Sequence, residues 1–271
     1  MTRPIPRNYD IVKTPQDLRY LSWDEVRCPS GLGGCRAKAR EGTGCNAVFY
    51  KLSGKGGFGA HCHDAFAELI CSRLMGELGI AHIGVQLVCA LVADCPQPRW
   101  IIRSRNFLER GESAMPFDRF FELRAQHGES PLQLCRRVGW AGALSGMAIA
   151  DYLTATRGRN AHAVEVVRKA NGNLELSPLA PLAFSLVNSF PMDTWQRFCT
   201  YDINTENCIG STSLEDNLEL VDPAFALPRL TAAVRKRIVG DLMGLGADDF
   251  VDASWQIIEG RWRRFESLRH L

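Results

Sequence analysis

The chain has 271 residues, 46% of them hydrophobic and 23% charged. That is enough apolar material for a sizeable core, which argues against disorder, and the length suits a single domain built in two parts. A net charge of +2 gives no electrostatic case for nucleic acid or a membrane surface as a partner.

Residues 1–27 read as a lead-in. Residues 1–13 carry basic side chains but no apolar stretch of signal-peptide length. The longest apolar windows, such as residues 83–93, are too short and too interrupted to span a bilayer. The expectation is a soluble, cytoplasmic protein. Thr14-Pro15-Gln16-Asp17 has the form of a helix start, with Thr14 as cap and Pro15 in the first position.

Residues 28–35, Cys-Pro-Ser-Gly-Leu-Gly-Gly-Cys, make a glycine-rich turn. Residues 36–40 and a turn at 42–44 follow, and then residues 46–52, an aromatic and β-branched run that reads as a strand. Strands around a glycine turn, with Lys51 late in the second one, have the build of a nucleotide-covering flap. Without Cβ atoms, the backbone N–H groups at Gly31, Gly33 and Gly34 can approach phosphates, and Lys51 adds a point charge. An ordinary hairpin with a solvated lysine fits the same residues. A second glycine cluster at 54–59 lacks the Gly-Lys-Ser/Thr ending of a P-loop and reads as a surface loop. His61-Cys62-His63 has metal-ligand residue types, but three consecutive side chains do not readily face one ion; it reads as a polar turn before a helix.

Residues 64–78 carry Phe66, Leu69, Ile70, Leu74 and Leu78 at helical spacing, with Asp64 as cap and Gly79 as stop. Glu68 lies off that stripe. It is either solvated or a carboxylate that holds Lys51. Residues 83–93 and 100–105 read as a hairpin about a Pro-rich turn. From there the pattern turns helical, at 117–126, 131–138 and 140–156. Two short strands, 164–167 and 174–177, flank the Asn171-Gly172 turn. Residues 188–224 are irregular, and 227–245 and 250–268 read as two closing helices separated by Gly246-Ala247-Asp248-Asp249. The ten cysteines contain no Cys-x-x-Cys pair, so zinc-ribbon and thioredoxin chemistry are not indicated; Cys71 and Cys89 sit in apolar contexts as small core residues.

This order resembles the HipA-like branch of the protein-kinase-like fold, in a compact form. Tyr50-Lys51-Leu52-Ser53 looks like that family's strand with the nucleotide lysine. Residues 67–80 look like its following helix, with Glu68 as the lysine's partner. Residues 100–103 are similar to the strand leading to the hinge, and residues 30–34 to the flap turn. The resemblance spans roughly residues 28–190. It implies an α+β, two-lobed protein-kinase-like fold with a small antiparallel-sheet N-lobe and one helix at 28–106, and a mainly helical C-lobe at 107–271.

The resemblance is strongest at 151–167 and 174–187, where it also breaks. Asp151, Tyr152, Leu153, Arg159, Glu165 and Val166 keep the frame of the catalytic loop. The residue expected to accept the substrate hydroxyl proton is replaced by Gly158, and the magnesium-binding asparagine by Ala163. In the second motif the metal aspartate is replaced by Pro181 and the following glycine by Ala183. Phosphoryl transfer rests on positioning and charge neutralisation through bridging metal ions. Gly158, Ala163 and Pro181 supply no side-chain base or ligand atom. The implication is a pseudokinase with no catalytic residues, no metal and no required cofactor. Lys51, Glu68, Gly31, Gly33 and Gly34 would then remain as a site holding ATP weakly, without magnesium. A protein partner such as an active kinase paralogue is expected, with no nucleic acid and no membrane. The alternative is an atypical kinase or nucleotidyl transferase that uses His162 or Asp151 as substitutes.

Overall fold

The computed structural model describes residues 10–23, 37–52, 63–93, 95–188 and 190–269. The glycine turn with Gly31, Gly33 and Gly34, the 54–59 cluster and His61-Cys62 lie outside the described residues.

A five-stranded sheet forms first along the chain. Its strands are β1 (Ile11–Asp17), β2 (Lys38–Glu41), β3 (Val48–Leu52), β4 (Val85–Leu91) and β5 (Arg99–Arg105), in the order β1-β4-β5-β3-β2. All neighbours are antiparallel except β1 and β4, which run parallel. The helix start expected at Thr14 is therefore wrong, because residues 11–17 form an edge strand. Its register shifts between Val12 and Gln16, the stretch containing Pro15. Proline has no N–H to give a ladder, and an edge strand with a bulge tolerates that loss. The expected antiparallel sheet is thus a mixed one, widened by a strand from the lead-in.

Helix α1 (His63–Glu77) follows β3 and ends before Gly79, whose φ of +70° suits the helix stop. The expected apolar stripe is too narrow a description: every residue from Asp64 to Met75 is buried. One face meets β4 and β5, and other sides meet the helices that close the chain.

The remainder contains α2 (Phe117–Arg124), α3 (Pro131–Arg137), α4 (Ala141–Leu153), α5 (Trp195–Thr200), α6 (Ala232–Val239) and α7 (Asp248–Arg269). Helix α3 starts on a capping box between Ser130 and Gln133, with Pro131 in its first turn. Between them, β6 (Ser113–Pro116), β8 (Glu165–Arg168) and β9 (Leu174–Leu176) form a small antiparallel sheet, while β7 (Gly158–Arg159) and β10 (Glu206–Asn207) pair in parallel. Strands β8 and β9 are the hairpin expected about Gly172, whose φ is +87°. The helix expected at 227–245 is shorter. Pro228 disfavours helix for the residue before it, Thr231 caps at Val234 N, and Gly244 turns the chain with φ +80°.

The main core runs unbroken from Leu87 and Ile102 in the sheet, through Phe66 and Leu74 of α1, to Ile149 of α4 and Ile258 of α7. Arg73 stitches it from inside. It donates to both oxygens of Asp10 (2.8 and 2.9 Å), both of Asp241 (2.6 and 3.0 Å) and the carbonyl of Ile238 (2.7 Å). Among the described residues no helix is long and apolar enough to cross a membrane. The described cysteines, Cys45, Cys71, Cys89, Cys95, Cys135, Cys199 and Cys208, are free thiols.

Arg73 is only 5% exposed. Replacing it by Met leaves Asp10 buried without its cation, and this loss is expected to cost about 3–5 kcal/mol. Urea unfolding at neutral pH checks it; a loss within the range of an ordinary surface substitution would refute the role.

Candidate functional site

The sheet and α1 together place Lys51. It points from β3 toward α1 and donates to Glu68 Oε2 at 2.8 Å. The two readings of Glu68 are thereby resolved in favour of the lysine's partner, since its side chain is 4% exposed. Burial pushes the Glu68 carboxyl above its ordinary value, while Lys51 pulls it back down. Lys38 stands directly opposite Lys51 in the β2–β3 ladder and is buried beside it. It was not legible in the sequence, because a lysine in a short charged run looks solvated.

Lys38 and Lys51 line one cavity of about 50 Å³ with Phe49, Phe107, Ala180 and Pro181. Pro181, the position expected to carry a metal aspartate, therefore shares a cavity with the lysine. The described residues lining this cavity include no Asp, Glu, Asn or Gln. No group of three His, Cys, Asp or Glu side chains among the described residues is placed to hold a metal.

The other two replaced positions lie elsewhere. Gly158 belongs to β7, and a Cβ built there meets nothing within 4 Å. Ala163 lines a separate cavity of about 300 Å³ together with Ile80, Met147 and Ser177. Ala163 is not among the described residues that line the Lys51 cavity.

The frame around these positions is tightly held. Arg159 and Asp151 form a buried bidentate pair (2.9 and 2.7 Å), and Arg159 also donates to Ala180 O at 3.2 Å. Both oxygens of Asp151 thus hold Arg159, and the pair is buried. His162 is exposed, and its backbone N–H donates to Asn160 Oδ1. A buried hydroxyl chain, Thr154–Thr156–Ser185, spans 2.8 and 2.9 Å steps between the two motifs. Asn188 donates to Asp64 at the start of α1 and to Ala183 O (2.7 Å). Arg157 donates to the carbonyls of Leu186 (2.6 Å) and Asn188 (2.5 Å), and burial pulls its pKa down to about 10. Ala155 and Leu186 both sit at positive φ, +49° and +57°, where the two motifs meet.

No family model matches the sequence, and no curated protein matches it. Among solved structures, the crystal structure of a Helicobacter pylori proinflammatory kinase, CtkA, is similar to it. That match has a TM-score of 0.57 at 12% identity and covers 94% of this chain and 98% of that one. The chain has a kinase-like fold.

Glu165 was read as a frame residue; its environment was not legible. It is buried on β8, and burial alone raises its pKa to about 7. The carboxyl of an unfolded chain titrates near 4.5, so between about pH 4.5 and 7 the folded state holds a proton that the unfolded state has lost. The stability that Glu165 contributes therefore falls as pH rises through that window. The difference between wild type and Glu165→Gln is expected to change by on the order of 3 kcal/mol across it, measured by urea unfolding at several pH values. A difference that stays flat with pH would refute the assignment.

The Lys51–Glu68 pair predicts a double-mutant cycle. Lys51→Met leaves Glu68 buried without its cation and should cost about 2–3 kcal/mol, most of it recovered when Glu68→Gln is added. Additive losses would show that the two side chains do not depend on each other.

Proposed function

We propose that the chain is a two-lobed, HipA-like pseudokinase, a kinase fold retained for binding and regulation with weak or absent nucleotide binding. In this reading the five-stranded sheet with α1 is the smaller lobe and residues 107–271 the larger one. The protein works in the cytoplasm on a protein partner such as an active kinase of the same fold.

The observation that carries the reading is the lining of the Lys51 cavity. Three cationic residues line it, Lys38, Lys51 and Arg105, and Pro181 lines it too where a metal aspartate was expected. Magnesium is held through oxygen ligands and substrate phosphates. Proline offers no ligand atom and lacks an N–H as well. Lysines neutralise part of a triphosphate but do not bridge its oxygens as a metal does. The frame residues Arg159 and Asp151 remain paired, which accounts for a stable fold without the chemistry.

ATP with magnesium is therefore expected to leave the melting temperature unchanged. A magnesium-dependent rise at sub-millimolar ATP, or transfer of label from γ-labelled ATP to any protein, would sink the proposal. The triple variant Gly158→Asp, Ala163→Asn, Pro181→Asp tests whether only ligand atoms were lost. The space beside Gly158 admits the first change.

A further inference from the structure

A cavity of about 360 Å³ lies between the two helices that close the chain. Arg229, Leu230, Thr231 and Ala232, at the start of α6, line one wall, and Trp255 and Trp262 of α7 line the other. An ion pair between Arg235 and Asp252 (2.9 Å) ties the helices together. No described residue lines both this cavity and the one beside Lys51.

The α6 wall carries donors that lack an acceptor. Thr231 Oγ1 takes the N–H of Val234 (3.3 Å), and Thr231 O takes that of Arg235 (2.9 Å). The N–H groups of Ala232 and Ala233 precede the first carbonyl the helix can offer them, and they carry its positive end. Arg229 is exposed and forms no ion pair with a described residue.

The tryptophans are a second and separate sign of a ligand. Trp255 is 3% exposed and Trp262 7%. Neither indole N–H bonds to a described residue, and neither is sealed in the interior. Each therefore opens into the cavity its ring lines. Trp100 and Trp140 instead give their N–H groups to the carbonyls of Leu245 (3.1 Å) and Leu174 (3.2 Å).

The charged side chains decide what kind of anion fits. Arg235 is held by Asp252 and Arg263 by Glu259 (3.1 Å), so the free positive groups are Arg229 and the start of α6. Glu259 and Glu266 line the same cavity. Two carboxylates in the wall repel a doubly charged guest more than a singly charged one. Leu230 and the indole rings offer apolar surface to the rest of the guest.

We infer that this cavity binds a small organic monoanion, a carboxylate on an apolar body, with the carboxylate at the start of α6 beside Arg229 and the body against the two indoles. A guanidinium and the free N–H groups of a helix start both hold carboxylates well. The inference stands apart from the pseudokinase reading, and neither outcome of an ATP titration bears on it.

Calorimetric titration of the full chain at low ionic strength tests it, with benzoate as the probe and benzyl alcohol and inorganic phosphate for comparison. Benzoate is expected to bind at millimolar concentrations or tighter, and each of the others at least about tenfold more weakly. Two variants locate the site. Arg229→Gln removes an exposed side chain that has no partner. Ala232→Pro removes one N–H at the first helical position, where proline is favoured, and Thr231 already has the extended backbone (φ −113°, ψ 166°) that a following proline requires. Each variant should weaken benzoate about fivefold or more and leave benzyl alcohol unchanged. Circular dichroism and the urea midpoint confirm that both have folded. No binding of benzoate at millimolar concentrations, equal binding of benzyl alcohol or phosphate, or undiminished benzoate binding by either folded variant would each overturn the inference.

Discussion

A helix with protein on every side has no water to satisfy its polar groups, and α1 is such a helix. Each polar side chain it carries has to find a partner among its neighbours or be expelled. Glu68 meets Lys51 of the sheet, Arg73 meets Asp10 and Asp241, and Asp64 meets Asn188 from the segment behind the second motif. These contacts reach in three directions. They fix how the sheet, the closing helices and the motif loops sit about one axis, and apolar packing alone would specify that arrangement less sharply. The Lys51–Glu68 pair is therefore a structural element whether or not a nucleotide is ever bound.

The same separation of frame from chemistry appears in the motif loops. Arg159 bridges Asp151 and Ala180, the hydroxyls of Thr154, Thr156 and Ser185 run in a chain, and Arg157 gathers two carbonyls. All of these are buried or half-buried groups whose loss leaves an unsatisfied partner. Gly158, Ala163 and Pro181 carry no such obligation. Pressure to stay folded therefore holds the first set and leaves the second free to vary, so an intact frame is not by itself a sign of catalysis.

The sequence was informative where physics is local. Periodicity located α1 to within a residue at each end, and Asn171-Gly172 located the β8–β9 turn; for Glu68 the residues left two readings open, and the resemblance supplied the one that pairs it with Lys51. It misled where a local signal had two uses. Thr14-Pro15 serves a helix start or a bulged edge strand, and only the presence of β4 alongside decides between them. The 227–245 stretch was periodic enough to look helical throughout, yet Pro228 and Gly244 confine the helix to Ala232–Val239. Lys38 and Glu165 were hidden for a different reason. Their importance comes from what faces them across a ladder or a cavity, and no spacing along the chain encodes that.

Arg73 also has a consequence for how the protein is made. Its guanidinium gathers residues 10, 238 and 241, so one side chain closes contacts from nearly the first to nearly the last part of the chain. A nascent chain still lacking residue 241 must keep that cation half-paired next to an apolar helix that has not yet been covered. Contacts this distant in sequence form late, and until they do the faces of α1 that meet α6 and α7 stay open to other chains. The sheet and the C-terminal helices therefore complete one shared core, in which α1 is covered only when both are in place.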